Sequence, residues 1–400
     1  MRILLLSDDF PPKSRGGAGV IAYNLAKSIK NTGHEVAVIT TVNDLNQVGK
    51  IIQDGFEVYR LYSKYHERWR AYRSLYNPEI VKQLKNIINS WHPDIVHAHN
   101  IHYHLSYHCL RIAKKSGARV FLTAHDSLIF HYGKLSKIKK ISQWTQFKKF
   151  KKRYNPFRNI IIRYYLKNVD RVFAVSHALK DALNLNGISN VLVIHNGINV
   201  DEWRAVDKDI NGFKNKFNLI NRKLVLFGGR LSGPKGGEKI VQAMSKIIDK
   251  KPEALLVVIG KIDDYSRKMI SFAKELKIDK HLVFTDWISG NDLICSYYAS
   301  DIVVVPSLYL DPFPTVNLEA MACKKPVVAT CFGGSKEVVE DGKTGFVVNP
   351  YDIEEMSERI LELLNDNLKA ERFGRAGFDR IKSDFTLDIQ TQETLHHYSL

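Results

Sequence analysis

Short apolar runs alternate with stretches of helical period twice along this chain, and that repeat leaves few folds open. In the first half, residues 2–6, 35–40, 95–98, 119–123, 171–175 and 191–194 read as strands, with helical stretches such as 20–30 between most of them. In the second half, residues 223–227, 255–259, 282–284, 302–305 and 327–329 read the same way. Strands built almost entirely of Val, Ile and Leu are buried on both faces, the mark of a parallel sheet covered by helices. The pattern predicts an α/β chain with two doubly wound, Rossmann-like domains facing a central cleft, where the carboxyl ends of the strands bind ligands. The polar turn segment 195–203 puts the boundary between residues 200 and 201.

With 400 residues, 44% apolar and 25% charged, the chain has the balance of a globular protein, which excludes a disordered or collagen-like one. The opening apolar run, residues 3–6, is too short for a signal-peptide core, and no uncharged run approaches the ~20 residues that cross a bilayer. A cytoplasmic protein is expected. Cys109, Cys295, Cys323 and Cys331 are scattered without a C-x-x-C pair, so they read as reduced, buried thiols.

The positive charge is confined to one half. Residues 1–200 hold 31 Lys and Arg against 12 Asp and Glu, a balance of +19, whereas residues 201–400 hold 28 against 30. The first half should therefore face an anionic partner such as a membrane, a nucleic acid or a phosphorylated substrate. Two of its segments break the alternation. Tyr62, Tyr65, Trp69, Tyr72 and Tyr76 recur at spacings of 3 and 4, which predicts one helix face, with Lys64, Arg68, Arg70 and Arg73 around it. Ile138, Ile141, Trp144, Phe147 and Phe150 recur every third residue among lysines that include Lys148, Lys149, Lys151 and Lys152, within a stretch, 127–169, free of Asp and Glu. A basic helix with Trp and Phe on its apolar side lies in a membrane interface. The same stripes can instead be domain core with solvated lysines around them.

Gly16-Gly17-Ala18-Gly19 opens a helix after the first strand, where backbone N–H groups can hold a phosphate. Residues 17–22 spell G-x-G-x-x-A, but the second strand ends in Thr40 and Thr41 and not in a ribose-binding acid. Gly342-Lys343-Thr344 ends like a P-loop, yet Glu337 stands where that motif needs glycine, so a tight turn is expected. His97, His99, His102, His104 and His108 lack acids or cysteines at metal-ligand spacing and read as polar side chains at a strand's carboxyl end. Arg230 and Lys235, in F-G-G-R-L-S-G-P-K-G-G, are two cations at a strand mouth among five glycines, which suits a diphosphate. In residues 311–319, D-P-F-P-T-V-N-L-E, Pro314 opens a helix whose first N–H groups are free, and Asp311 and Glu319 bracket that end, ready to grip hydroxyls.

Taken together, Gly16-Gly17, Thr123-Ala124-His125-Asp126, His195-Asn196-Gly197-Ile198, Gly229-Arg230 with Lys235-Gly236, and residues 311–319 resemble family 4 of the retaining glycosyltransferases (glycosyl transferases group 1), in the right order over nearly the full chain. The resemblance implies a GT-B fold, an acceptor-binding domain over 1–200, a nucleotide-sugar domain over 201–385, and a last helix, 386–400, that returns to the first domain. It implies that Arg230 and Lys235 bind the diphosphate, that Gly17 belongs to the loop closing on it, that His125 lies near the transferred sugar, and that Glu319 grips the ribose. Backbone N–H groups of Thr315, Val316 and Asn317 would meet sugar and diphosphate, with Gly16 and Asn196 also at the donor. The family's E-x7-E pattern begins with Asp311 here, one methylene shorter at a position that touches sugar hydroxyls.

The reaction implied is transfer of a hexose from a UDP- or GDP-linked sugar to a saccharide or lipid-linked saccharide in polysaccharide or glycolipid synthesis, with catalytic roles for His125, Arg230, Lys235 and Glu319. No metal and no other cofactor is expected, because the two cations and the helix end take the electrostatic task of a divalent ion. The +19 half and the stripes, Tyr65, Trp69, Trp144 and Lys148, Lys149, Lys151 and Lys152 in particular, point to an acceptor at the inner face of an anionic membrane. A nucleotide-sugar epimerase of GT-B type is one alternative. A nucleic-acid-binding protein using the basic half is another, although it leaves Arg230, Lys235 and Glu319 without a task and no nucleic acid is expected.

Overall fold

The computed structural model describes residues 1–12, 17–205 and 208–400, which form two compact units: Met1–Gly197 together with Leu387–Leu400, and Ile198–Thr386. The sequence's last helix, Leu387–Ser399, thus belongs to the first unit.

The first unit holds strands β1 (Arg2–Ser7), β2 (Glu35–Val42), β3 (Gly49–Gln53), β4 (Phe56–Tyr62), β5 (Ile95–His99), β6 (Arg119–Ala124), β7 (Arg171–Ala174) and β8 (Val191–Val193) in the order β3-β4-β2-β1-β5-β6-β7-β8. All pair in parallel except β3 with β4. Ile3, Leu4, Leu5 and Leu6 of central β1 are fully buried, as a strand covered on both faces requires. The order turns back between β1 and β5, so the loops after these two strands part to opposite sides and leave a crevice at their carboxyl ends. On one face the helix Gly17–Asn31 packs against Leu387–Ser399, where the Thr391 hydroxyl donates to Ser28 Oγ at 2.8 Å.

Two expectations fail here. The hairpin β3–β4 was not foreseen. Its turn is Asp54-Gly55, both with positive φ, the pair that a two-residue hairpin turn demands. Nor do the five aromatics from Tyr62 to Tyr76 share a helix. Tyr62 ends β4, and only Glu67–Trp69 and Arg70–Arg73 coil, before Asn77 caps the helix Pro78–Trp91. Sheet pairing with β2 outweighs the helical spacing at one end, and Pro78 disfavours helical backbone at the residue before it at the other.

The second unit holds β9 (Lys223–Phe227), β10 (Ala254–Val258), β11 (Leu282–Phe284), β12 (Ile302–Val305), β13 (Val327–Thr330) and β14 (Gly345–Val348), ordered β11-β10-β9-β12-β13-β14 and all parallel. Val225, Phe227, Val304, Ile240, Met244 and Met356 are among the residues of its core. Here the switch point lies between β9 and β12. Two glycines bring the following loops together: a Cβ on Gly228 would sit 2.6 Å from Val316 Cγ1, and one on Gly236, at φ +83°, would sit 2.0 Å from the Pro306 carbonyl oxygen. Only a residue without a side chain allows that approach.

All four cysteines are free thiols; Cys331 is half-buried and the others are buried. Among the described residues no helix is long and apolar enough to cross a membrane.

Candidate active site

Each unit gathers polar side chains at its switch point. In the second unit the loop after β9 carries Arg230, exposed, and Lys235, just before the helix Gly237–Lys250. The loop after β12 runs through Ser307, Tyr309 and Asp311 into the helix Thr315–Ala322, with Pro314 in extended backbone at its N-cap. Thr315, Val316 and Asn317 therefore form the first turn; Asn317 N–H donates to the Pro314 carbonyl at 3.1 Å, and the N–H groups of Thr315 and Val316 have no intrahelical acceptor. The neighbouring β9 and β12 supply both loops, and Lys235 joins them through Asp311 just before this helix end.

Asp311 is not open to the surface. It is 5% exposed; Lys235 Nζ donates to its Oδ2 at 2.6 Å, and the Ser307 hydroxyl donates to the same oxygen at 2.9 Å. Its carbonyl accepts from Gly334 at 2.9 Å. Two residues singled out separately from the sequence are thus one ion pair, and a carboxylate of this length is what spans the gap to Lys235. Glu319 lies one turn along the helix. Tyr297, on the helix Gly290–Ala299, donates its hydroxyl to Glu319 Oε2, and the Thr315 side chain also bonds the carboxylate. Burial outweighs both bonds and raises the Glu319 carboxyl above its ordinary 4.5. Asn317 is fully buried, and neither its Oδ1 nor its Nδ2 has a partner among the described residues, so this turn keeps unused hydrogen-bonding capacity. Beside Arg230 lies a pocket lined by Leu231, Val258, Gly260, Lys261, Asp263 and Trp287.

In the first unit, buried Asp8 follows β1 and accepts the backbone N–H groups of Tyr103, His104 and Leu105 at 2.6 to 2.9 Å, which clamps the loop after β5. Burial still pushes its carboxyl up to about 7. His125 ends the run after β6, partly exposed, and burial pushes its imidazole down to about 4. It lines a small pocket with Asn100, His102 and Asp126. His97 and His99 stand on one face of β5, as their spacing predicts, with ring centroids 4.2 Å apart. Both His97 ring nitrogens are engaged, Nδ1 with Tyr398 Oη at 2.6 Å and Nε2 with Thr123 Oγ1 at 2.7 Å. Gly17 is the exposed first residue of its helix, and Asn196 is buried with Oδ1 unpartnered among the described residues. Gly16, and the side chain of Lys152, lie outside the described residues.

The stripes are surface, not core. Trp69, Tyr72, Tyr76, Trp144 and Phe147 are all about half exposed or more, and Lys148, Lys149 and Lys151 are exposed beside them. Tyr62, Tyr65, Ile141 and Phe150 are only partly exposed: Tyr65 turns inward against His104, and Phe150 packs against His131 and Tyr132. The helix of the second stripe is shorter than expected, Gln143–Phe150, because Ser142 caps it with a bond from Thr145 N, and its buried residue is Gln146. The Asn155 side chain bonds the Ala71 carbonyl at 3.1 Å, joining the segments that carry the two stripes.

Comparison with known proteins identifies the family. Residues 15–202 match the model of Glycosyltransferase Family 4, and residues 209–380 match that of Glycosyl transferases group 1. The chain belongs to family 4 of the glycosyltransferases. An uncharacterized glycosyltransferase of Methanocaldococcus jannaschii is 28% identical, with 96% of each chain covered. Among solved structures, sucrose-phosphate synthase of Thermosynechococcus elongatus superposes with a TM-score of 0.79 at 20% identity, covering 100% of this chain and 98% of that one. HepE of Anabaena in complex with UDP superposes at 0.75, also 20% identical, with 100% of both chains covered. These place the glycosyltransferase in the GT-B fold. Three groups around these sites carry no signal in the sequence: Tyr297 and Ser307 are single hydroxyls without a motif, and Asp8 is legible only once β1 and β5 are neighbours.

A raised carboxyl in the folded glycosyltransferase has a sign that can be tested. Protonated Glu319 is favoured by folding, so its contribution is full below about pH 4.5 and is lost as pH rises through the higher folded value. Glu319→Gln, which can still accept from Tyr297, should raise Tm at neutral pH, and the gain over wild type should vanish as pH falls below about 4.5, read by thermal melts across pH.

Proposed function

We propose that this glycosyltransferase moves a hexose from a UDP- or GDP-linked donor to a saccharide or lipid-linked saccharide acceptor with retention of anomeric configuration. The observation that carries the reading is that Arg230, Lys235, the first turn of Thr315–Ala322 and Glu319 all lie in the segments that follow β9 and β12, the two strands at the switch point. The first three meet the diphosphate with charge-assisted bonds and the helix end, and they neutralise it as it leaves, without a divalent metal. Glu319 grips the ribose hydroxyls, and the pocket with Trp287 beside Arg230 takes the base. A structure of HepE with UDP-glucose, sharing this fold, supports a nucleotide-sugar donor. Asp311 is tied to Lys235 and Glu319 to Tyr297, so neither carboxylate is free as a nucleophile, which favours attack on the face the diphosphate leaves. His125 meets the transferred sugar.

The acceptor reading rests on charge and exposure. Half-exposed Trp144 and Phe147, stacked at 5.6 Å, with Lys148, Lys149 and Lys151, suit the headgroup region of an anionic membrane at the cytoplasmic face.

Three measurements test these proposals. Arg230→Ala removes a bond worth about 1.5 to 3 kcal/mol, so kcat/KM should fall about 10- to 150-fold, with much of the loss visible in calorimetry with UDP or GDP; unchanged affinity in both Arg230→Ala and Lys235→Ala would remove the diphosphate site. NMR of the early product from labelled nucleotide sugar and a membrane extract should show the donor's anomeric configuration in lipid or saccharide product. An inverted centre, or activity abolished by EDTA and restored by Mg²⁺, contradicts the mechanism. Replacing Lys148, Lys149, Lys151 and Lys152 by Gln removes about 4 kcal/mol of attraction to anionic lipid, roughly a thousandfold in partitioning. Sedimentation with anionic vesicles at low salt should be lost while nucleotide affinity holds, and wild type that fails to sediment would rule out the membrane surface.

A further inference from the structure

His125 is not held by its own strand alone. Its Nε2 lies 3.0 Å from Nδ1 of His99, a side chain with no solvent exposure on the neighbouring β5. His99 is backed by the His97 ring, itself pinned between Thr123 and Tyr398, and Tyr398 is anchored by Arg119 Nη1 donating to its carbonyl at 2.6 Å. The terminal helix, nearly 300 residues further along the chain, thereby wedges the stack beneath His125.

A hydrogen bond between two neutral imidazoles couples their tautomers. If His99 Nδ1–H donates, His125 must carry its proton on Nδ1; if His125 Nε2–H donates, His99 must carry its proton on Nε2. Both rings are neutral near pH 7, since burial pushes His125 down to about 4 and His99 well below its ordinary value. The two arrangements differ at His99 Nε2, which is buried and has no partner among the described residues. The second arrangement strands an N–H there, and buried orphan N–H groups are the rarer kind of unsatisfied polar group. The first leaves only a bare lone pair.

We infer that His99 is a positioning residue that donates from Nδ1 to His125 Nε2, fixing His125 as the Nδ1–H tautomer so that it presents an N–H donor to a substrate oxygen. The kinetic consequence rests on the donor-site reading above; the tautomer does not. An oxygen of the sugar or the diphosphate accepts from His125 Nδ1, and no proton is transferred.

The test is two-bond ¹⁵N–¹H NMR of ¹⁵N-histidine-labelled protein without substrate, with the His125 signals assigned by their loss in His125→Gln. Wild type should show the Nδ1–H pattern for His125. His99→Leu, which keeps bulk and removes the donor, should revert it to the Nε2–H form usual for a free neutral imidazole and cost about tenfold in kcat/KM with unchanged affinity for UDP or GDP. His99→Asn, whose amide nitrogen stands near the Nδ1 position, should keep the Nδ1–H pattern and most of the rate. An Nε2–H pattern in wild type, or a tautomer unmoved in a folded His99→Leu protein, overturns the inference. A shifted tautomer with unchanged kcat/KM overturns the positioning role. A wild type that shows the Nδ1–H pattern but transfers no sugar upholds the relay and defeats the donor-site reading instead.

Discussion

The parallel pairing of β9 with β12, across more than 70 residues of sequence, is the interaction on which the donor half of this molecule depends. Registering Val225 with Ile302 and Phe227 with Val304 sets two strand ends side by side at the point where the sheet reverses direction. Arg230, Lys235, Ser307, Asp311 and Glu319 all follow those ends in the chain. Gly228 and Gly236 let the two loops touch backbone to backbone, and Lys235 reaches Asp311 only because they do. A buried carboxylate with one partner removed is costly, so the pair also ties the loops to each other. The same geometry sets the first turn of Thr315–Ala322 at these loops, where anion binding follows from helix electrostatics and needs no special side chain.

The two units handle burial differently. In the second, Lys235 and Asp311 pair as ions, while burial raises the Glu319 carboxyl, which accepts from the Tyr297 hydroxyl. In the first, burial disfavours charge. His97, His99 and His125 are held neutral, and Asp8 and Asp126 are pushed up to about 7 and about 6. Desolvation is the largest cause in each case, since these groups sit at the carboxyl end of a sheet covered on both faces. The unit with the large positive balance in its sequence thus has a site floor of neutral imidazoles, and its positive charge lies on the outside with the exposed aromatics.

The strand repeat made the α/β architecture legible before any coordinates, because a strand buried on both faces must be apolar throughout. Arg230, Lys235, Asp311 and Glu319 were legible too, as charged residues where the pattern places strand mouths. The hairpin β3–β4 was missed although Asp54-Gly55 announces its turn, since its strands are partly exposed and lack a continuous apolar run. The aromatic spacing from Tyr62 to Tyr76 misled, because periodicity measures a pattern and not the hydrogen bonds that override it.

What the sequence determined by itself is the inventory: two parallel-sheet units, a basic first half, and the cations, acids and glycines at the strand ends. These follow from local pattern, which one chain carries in full. What only the tertiary structure decided is which of those groups meet. Lys235 pairs with Asp311, Tyr297 on an unrelated helix holds Glu319, and Tyr398 near the chain's end backs His97 and, through it, His99 and His125. The same holds for Trp144 and Phe147, whose spacing fits core or surface equally well and which the fold leaves in solvent. Contacts of that kind are set by strand order and register, which no stretch of sequence shorter than a whole sheet contains.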